Sequence, residues 1–133
     1  MERRRRAVNV LIDTHILLWL VSTPAQLDPL SLSDPATTVW VSAASAWEIA
    51  IKTRIGRLGG EALLAAWPDV LSNMHSLELP IDSADAILAG RLRWAQKDPF
   101  DPVIVAQALR RNLTIATRDD TILTTALTPV LRS

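Results

Sequence analysis

Cysteine is absent from the 133 residues of the chain, so the sequence can form neither a disulfide framework nor a thiolate metal site. Only four glycines are present, and none belongs to a glycine-rich loop of the kind that binds phosphate. The two histidines, His15 and His75, cannot build a zinc site without further ligands. No apolar run approaches the roughly 20 residues that a membrane helix needs. We therefore expect a cytoplasmic protein without a membrane partner, whose candidate chemical groups are carboxylates.

Charge of neither sign is in excess, because 14 basic residues balance 14 acidic residues. Four of the arginines are consecutive at positions 3–6, which leaves the rest of the chain mildly acidic. A strongly basic footprint, typical of proteins that bind nucleic acid tightly and without specificity, is missing. We interpret residues 1–7 as a solvated basic N-terminal tail, with a phosphate-contacting arm as the alternative.

Apolar residues make up 49% of the chain, enough for one packed domain over residues 8–133. Short apolar runs alternate with longer amphipathic or capped segments, a pattern that predicts an α/β sandwich around a parallel sheet. The predicted strands cover 8–12, 38–41, 76–79, 113–116 and 130–131. The predicted helices cover 14–21, 43–55, 61–73, 83–94, 102–111 and 122–127, with Pro68 able to split the third.

Two carboxylates follow predicted strands. Asp13 comes directly after the run at 8–12, and Asp119 comes shortly after the run at 113–116. Ligands of open parallel sheets bind beyond the carboxyl ends of the strands, so both side chains are candidates for one site. An aspartate in this position also commonly caps the next helix, and for Asp13 alone the two interpretations are equally supported. Their repetition on two strands favours a functional site.

Glu48 lies in a predicted helix that is apolar for most of two turns. A carboxylate in such surroundings is expected to be buried or at the edge of a pocket, where lack of a partner is costly. The structural alternative is a surface pair with Lys52 at the i+4 spacing. Trp47 and Ile49 flank the residue, which argues against a fully solvated face and favours the functional interpretation.

Asp101 precedes Pro102, and an aspartate cap followed by proline is a common helix start. A structural role is therefore well supported, although a capping carboxylate can still turn its second oxygen toward a cation. Asp98 could add an outer-shell carboxylate or simply belong to the turn. If Asp13, Glu48, Asp101 and Asp119 converge, their like charges would raise one another's pKa values unless a divalent cation lay between them. An all-oxygen set without cysteine favours Mg²⁺ or Mn²⁺, and the predicted chemistry is hydrolysis of a phosphate ester.

Four segments of the chain have the order and spacing of a known set of motifs. They are residues 11–15 (Leu-Ile-Asp-Thr-His) with 17–20, residues 41–52 with 55–58, residues 98–101 (Asp-Pro-Phe-Asp) with 105–108, and residues 117–119 (Thr-Arg-Asp). Together they resemble the motifs of PIN-domain proteins, and of VapC-type toxins of type II toxin–antitoxin systems in particular. One such motif would be a weak signal, but four in register are specific.

The resemblance implies a PIN-like three-layer sandwich, in which a short parallel sheet carries helices on both faces. It also implies an endoribonuclease dependent on Mg²⁺ or Mn²⁺, acting on RNA as the toxin of a toxin–antitoxin pair. The implied catalytic and metal-binding residues are Asp13, Glu48, Asp101 and Asp119. Toxins of this type are usually homodimers that a cognate antitoxin protein holds inactive.

The chain departs from the family pattern near the third motif. Pro102 stands where an arginine is common, and Gln96 with Lys97 stands where a histidine often occurs. Neither position is an expected metal ligand, so the departures affect contacts with substrate or antitoxin rather than the catalytic assignment. In the fourth motif Asp120 competes with Asp119, and the register favours Asp119.

Further residues have supporting roles in this hypothesis. Thr14 and Thr117 are candidates to orient carboxylates or bound waters, and Arg57 and Arg118 are candidates for contacts with phosphate. The alternative from another class is a catalytically silent PIN-fold binding module that acts through a protein partner. A structure-specific DNA nuclease is a third possibility, although such enzymes usually need extra acidic residues and helices for which 133 residues leave little room.

Overall fold

The computed structural model describes residues 8–22, 32, 34–94, 97–117 and 130–132. The predicted basic tail, the helix predicted over 122–127 and the candidate residues Arg118, Asp119 and Asp120 lie outside these ranges. Most of the region between 22 and 37 that the sequence predicts as loop also lies outside them.

Five parallel strands form one sheet with the spatial order β3-β2-β1-β4-β5. The strands are β1 (Val8–Ile12), β2 (Thr37–Ser42), β3 (Ser76–Leu79), β4 (Thr114–Thr117) and β5 (Val130–Arg132). In the register of the central strands, Ile12 lies between Val41 and Ala116, so the carboxyl ends of β1, β2 and β4 meet at one edge. The sequence predicts all five strands to within a residue at either end, including β5 as an edge strand.

Alternate residues of the central strand face two different apolar cores. Val10 and Ile12 belong to one core, and Leu11 belongs to the other. A strand that is buried on both faces needs an almost continuous apolar run, which explains the composition of residues 8–12. Helices therefore cover both faces of the sheet, and the predicted three-layer sandwich is confirmed.

Six helices lie in the described part of the chain. They are α1 (Thr14–Ser22), α2 (Ala43–Arg54), α3 (Glu61–Ala65), α4 (Trp67–Asn73), α5 (Ser83–Arg91) and α6 (Phe100–Arg111). Helices α1 and α4 contribute to the core that holds Val10 and Ile12, and α5 and α6 contribute to the core that holds Leu11. None of the helices in the described ranges is both long and apolar enough to cross a bilayer.

The ends of the helices follow local chemistry, with three differences from the sequence prediction. Pro68 lies in the first turn of α4, and the predicted helix over 61–73 is two helices, as the proline allowed. Helix α5 ends at Arg91, three residues before its predicted end. Helix α6 begins at Phe100, earlier than predicted, and ends at Arg111, because the left-handed conformation of Asn112 (φ 53°) stops the helix.

Candidate active site

Asp13 follows β1 directly and is fully buried, with none of its surface exposed. Its Oδ1 accepts a hydrogen bond from the backbone N–H of Ile16 at 2.9 Å, so the side chain caps α1. Its Oδ2 accepts a hydrogen bond from the hydroxyl of Thr117 at the end of β4. The capping interpretation of Asp13 is therefore confirmed, and the carboxylate also lies at the edge where two strands end, while its role in a functional site stays a prediction. Thr117 orients a carboxylate, as predicted.

Glu48 is also buried, with 4% of its surface exposed. Its Oε2 lies 2.5 Å from the ammonium group of Lys52, one turn along α2. Its Oε1 is buried and has no hydrogen-bond partner among the described residues. The pair with Lys52 predicted by the structural alternative exists, but it occupies only one oxygen of a carboxylate that is not on the surface. An unpartnered buried oxygen is costly, so this atom is a candidate ligand for a cation.

A contact between two hydroxyl groups joins the first turn of α2 to the first turn of α1. The hydroxyl of Ser45 lies 2.9 Å from that of Thr14 at the start of α1. Thr14 was a candidate to orient carboxylates or bound waters; its hydroxyl contacts that of Ser45, and its role in the site stays a prediction. Ser45 precedes Glu48 by three residues on the same face of α2, a spacing that could have revealed it as part of the site.

Ser42 connects the end of β2 with α6. Its hydroxyl accepts from the N–H of Ala44, so Ser42 caps the start of α2, and it donates to Oε1 of Gln107 at 2.6 Å. The amide nitrogen of the fully buried Gln107 donates to the carbonyl oxygens of Leu79 and Pro80. One buried side chain of α6 therefore holds the carboxyl ends of β2 and β3, and nothing local in the sequence identified it.

Asp101 is buried in the first turn of α6, with 5% of its surface exposed. The prediction that it caps this helix is wrong, because the N-cap position belongs to Pro99. Asp98 makes the local turn instead, since its Oδ1 accepts from the N–H of Phe100 at 2.8 Å. A carboxylate inside the first turn still benefits from the positive end of the helix dipole.

An aromatic contact places the first turn of α6 against α2. The rings of Trp47 and Phe100 meet edge to face, with centroids 4.6 Å apart and planes at 79°. Glu48 and Asp101 are the next residues in their helices. The contact therefore brings the segments that carry these two buried carboxylates side by side.

The complete cluster of four acids stays a prediction. Within the ranges that the structure describes, no group of three or more histidine, aspartate or glutamate side chains could hold a metal ion. Asp119 and Asp120 lie outside those ranges, as does Arg118. The residues that are described still fit a hard divalent cation, because the donors are carboxylate oxygens and Oε1 of Glu48 lacks a partner. His15 and Arg57 are both exposed.

The family model of the PIN domain matches residues 10–126, nearly the whole chain. The chain belongs to the PIN domain family. This match confirms the resemblance that the four motifs suggested and agrees with the order and burial of the strands described above.

Solved structures share the fold of this PIN domain. The VapBC2 complex from Rickettsia felis, bound to a DNA fragment from its promoter, superposes with a TM-score of 0.71 at 14% identity, covering 94% of this chain and 98% of that one. The DNA-bound VapBC from Salmonella typhimurium gives 0.70 at 16% identity, with coverages of 94% and 98%. The PIN domain endonuclease Utp24 gives 0.59 at 15% identity, with coverages of 96% and 86%. No curated protein sequence matches the chain significantly.

Proposed function

We propose that this PIN-domain protein is an endoribonuclease dependent on Mg²⁺ or Mn²⁺, and that it is the toxin of a toxin–antitoxin pair. The observation that carries the proposal is Oε1 of Glu48, a buried carboxylate oxygen without a partner in the described part of the chain. It lies in a fold whose central strand is followed directly by the buried Asp13. Such an oxygen is explained if a cation is its partner when the protein is active.

In this proposal, Asp13, Glu48, Asp101 and Asp119 hold the cation, with Asp120 as the fallback for the last. When bound, the cation would lower the pKa of a water molecule and neutralise charge on the phosphodiester. The contributions of the chain itself are positional. The hydroxyl of Thr117 and the N–H of Ile16 fix both oxygens of Asp13, so the carboxylate is oriented before any ligand arrives.

Lys52 has a corresponding role for Glu48, since its ammonium group holds Oε2 and leaves Oε1 available. Thr14 supports the site through Ser45, and Asp98 supports it by fixing the first turn of α6. Arg57 and Arg118 are proposed to contact phosphates of the RNA. The proposed reaction is the hydrolysis of phosphodiester bonds within an RNA chain.

The toxin role rests on the likeness of the fold to VapBC complexes, which are toxin–antitoxin assemblies bound to DNA in two of the solved structures. By analogy we propose that a cognate antitoxin protein binds this chain, that the chain forms a homodimer and that it acts in the cytoplasm. The second candidate function is a catalytically silent binding module with the same partner. The ion pair of Lys52 with Oε2 of Glu48 favours it, since a carboxylate paired with a lysine can be structural.

The deciding experiment is the cleavage of a mixed pool of RNA by purified, antitoxin-free protein in Mg²⁺, in Mn²⁺ and in EDTA. Asp13→Asn is compared with Asp69→Asn, which changes an exposed aspartate in the first turn of α4. We expect cleavage in both metals, none in EDTA, none with Asp13→Asn and wild-type rates with Asp69→Asn.

Three outcomes would contradict the proposal. Wild-type cleavage by a folded Asp13→Asn protein would remove Asp13 from the catalytic site. No cleavage of any RNA by folded wild-type protein would favour the binding module. Cutting of flapped DNA in preference to RNA would instead indicate a structure-specific DNA nuclease.

A further inference from the structure

Helix α2 presents a narrow exposed face beside the candidate site. Its three exposed residues are Trp47, Ala50 and Arg54, at spacings of three and four. Residues at these spacings share one side of a helix, so the three form a single stripe about 10 Å long along the axis. The other residues of α2 are buried or only partly exposed.

The tryptophan of this stripe is anchored but not covered. Its ring meets the buried Phe100 edge to face, while 45% of the Trp47 surface stays exposed. An edge contact restrains the ring without using its whole surface, and tryptophan is enriched at interfaces because its large ring combines an apolar face with a polar N–H. Trp47 also immediately precedes Glu48, whose Oε1 lacks a partner among the described residues. The ring also contacts Phe100, the residue before the buried Asp101, so Trp47 lies between the two segments that carry these candidate acids.

The cation of the stripe is available for an anionic ligand. Within the described part of the chain, Arg54 forms no ion pair, whereas Arg110 and Arg111 are engaged with aspartates. Arg57, also exposed, lies just beyond the C-terminal end of the same helix. Between Trp47 and Arg54 the stripe has only the small side chain of Ala50, which leaves room for a ligand that touches both.

We propose that Trp47, Ala50 and Arg54 form the surface that binds single-stranded RNA. One nucleobase stacks on Trp47, and a phosphate pairs with Arg54. The inference rests on the proposed function, which it deepens by assigning the substrate's binding surface. Single-stranded nucleic acid is bound by this combination of an aromatic platform and cations along the backbone. The charge complementarity between phosphate and Arg54, which forms no ion pair with the described residues, favours RNA over a hydrophobic peptide as the occupant.

The test measures binding in the Asp13→Asn background, so that the probe is not cut. The probe is a fluorescein-labelled pool of single-stranded RNA oligonucleotides of mixed sequence, and its anisotropy gives Kd at several salt concentrations. The variants are Trp47→Ala, Trp47→Phe and Arg54→Gln. The matched controls are Ile87→Ala and Arg91→Gln, which change an exposed apolar residue and an exposed arginine on α5.

Stacking and phosphate pairing predict different signatures. Trp47→Ala should weaken binding by about 5- to 150-fold without changing the salt dependence, and Trp47→Phe should recover much of the loss. Arg54→Gln should weaken binding at low salt and reduce the slope of log Kd against log salt by about 0.7, the value for one phosphate contact on a single strand. Both controls should match the parent.

A parent protein that does not bind the probe, or a folded Trp47→Ala variant with the affinity of the parent, would overturn the inference. In the second case the exposed stripe of α2 would be a candidate surface for binding a protein partner instead. Cleavage by the wild-type protein is scored separately. If the wild-type protein cleaves RNA in the presence of metal but binding does not depend on Trp47, only this inference is wrong. If binding depends on Trp47 but the wild-type protein does not cleave RNA, the proposed function is wrong.

Discussion

The hydroxyl of Thr117 donates a hydrogen bond to Oδ2 of Asp13, and this bond joins two neighbouring strands across 104 residues of sequence. Both residues are fully buried, at the edge where β1 and β4 end. The bond fixes the direction of a carboxylate that is excluded from solvent. Orientation of Asp13 is therefore a property of the folded sheet and exists without any bound ligand.

Replacement of Thr117 by valine should destabilise the protein, because valine keeps the shape but removes the donor to a buried carboxylate. The expected loss in the free energy of unfolding is roughly 1.5–3 kcal/mol, the usual range for a hydrogen bond to a charged group. Urea unfolding at pH 7 measures it. Thr117→Ser keeps the hydroxyl and serves as the control, so equal stabilities of the two variants would contradict the role assigned to this bond.

Glu48→Gln should reduce the stabilisation that divalent cations give to the protein. A ligand that binds only the folded state raises the melting temperature, by an amount equivalent to about 2.7 kcal/mol at one hundred times its Kd. We expect Mg²⁺ or Mn²⁺ to raise the Tm of the wild-type protein and EDTA to reverse the rise. In Glu48→Gln the rise should be small.

The control for this prediction is Glu61→Gln, which changes an exposed glutamate in the first turn of α3. It should keep the full cation-dependent rise in Tm. The prediction fails if both variants respond to the cations to the same extent as the wild-type protein.

Asp85 should make the protein sensitive to acid. Burial alone would raise the pKa of this carboxyl, but hydrogen bonds from Arg111, from the N–H of Asp82 and from Arg110 outweigh burial and hold the pKa well below its ordinary value of 3.8. A pKa that is lower in the folded than in the unfolded chain stabilises the fold at pH values above about 4. This stabilisation is lost as the pH falls below that value.

Asp85→Asn should therefore lower the free energy of unfolding at neutral pH by roughly 1.5–3 kcal/mol and flatten its decline below pH 4. Unfolding in urea from pH 7 to pH 3 provides the comparison. Asp82→Asn is the matched control, because the side chain of Asp82 is 53% exposed and an asparagine can still cap α5. An acid profile of Asp85→Asn identical to that of the wild-type protein would exclude this source of acid sensitivity.

Adjacent glycines should differ in their tolerance of alanine. A Cβ atom at Gly60 would lie 2.6 Å from Cγ2 of Ile49 and 2.6 Å from the hydroxyl of Thr53, whereas one at Gly59 would meet nothing within 4 Å. Because Ile49 is β-branched and buried, Gly60→Ala should cost about 1–3 kcal/mol. Gly59→Ala should be neutral or stabilising by up to about 1 kcal/mol. Thermal unfolding of the two variants checks the difference, and equal Tm values would contradict it.

Most of the secondary structure follows from local sequence. The nearly continuous apolar run at 8–12 predicts a buried strand of a parallel sheet, and Ser42 before an apolar segment predicts the start of α2. Both features depend only on neighbours in the chain, so they could be predicted without knowledge of the fold, and the structure confirms them. The start of α6 is different, because Asp98 and Asp101 each precede a proline and each could therefore cap a helix. Only the folded chain decides that Asp98 makes the turn while Asp101 is buried within the helix.

The sequence predicts burial or a pocket edge for Glu48 from its apolar surroundings, and it selects Asp13 and Asp101 as candidate acids that could equally be helix caps; all three are buried. Their partners could not be read from the sequence. The pairing of Thr117 with Asp13, of Ser45 with Thr14 and of Gln107 with Ser42 joins residues 31 to 104 positions apart. A periodic pattern records which side of a helix or strand is apolar, but a contact between distant elements depends on how they pack, and that packing exists only once the chain has folded.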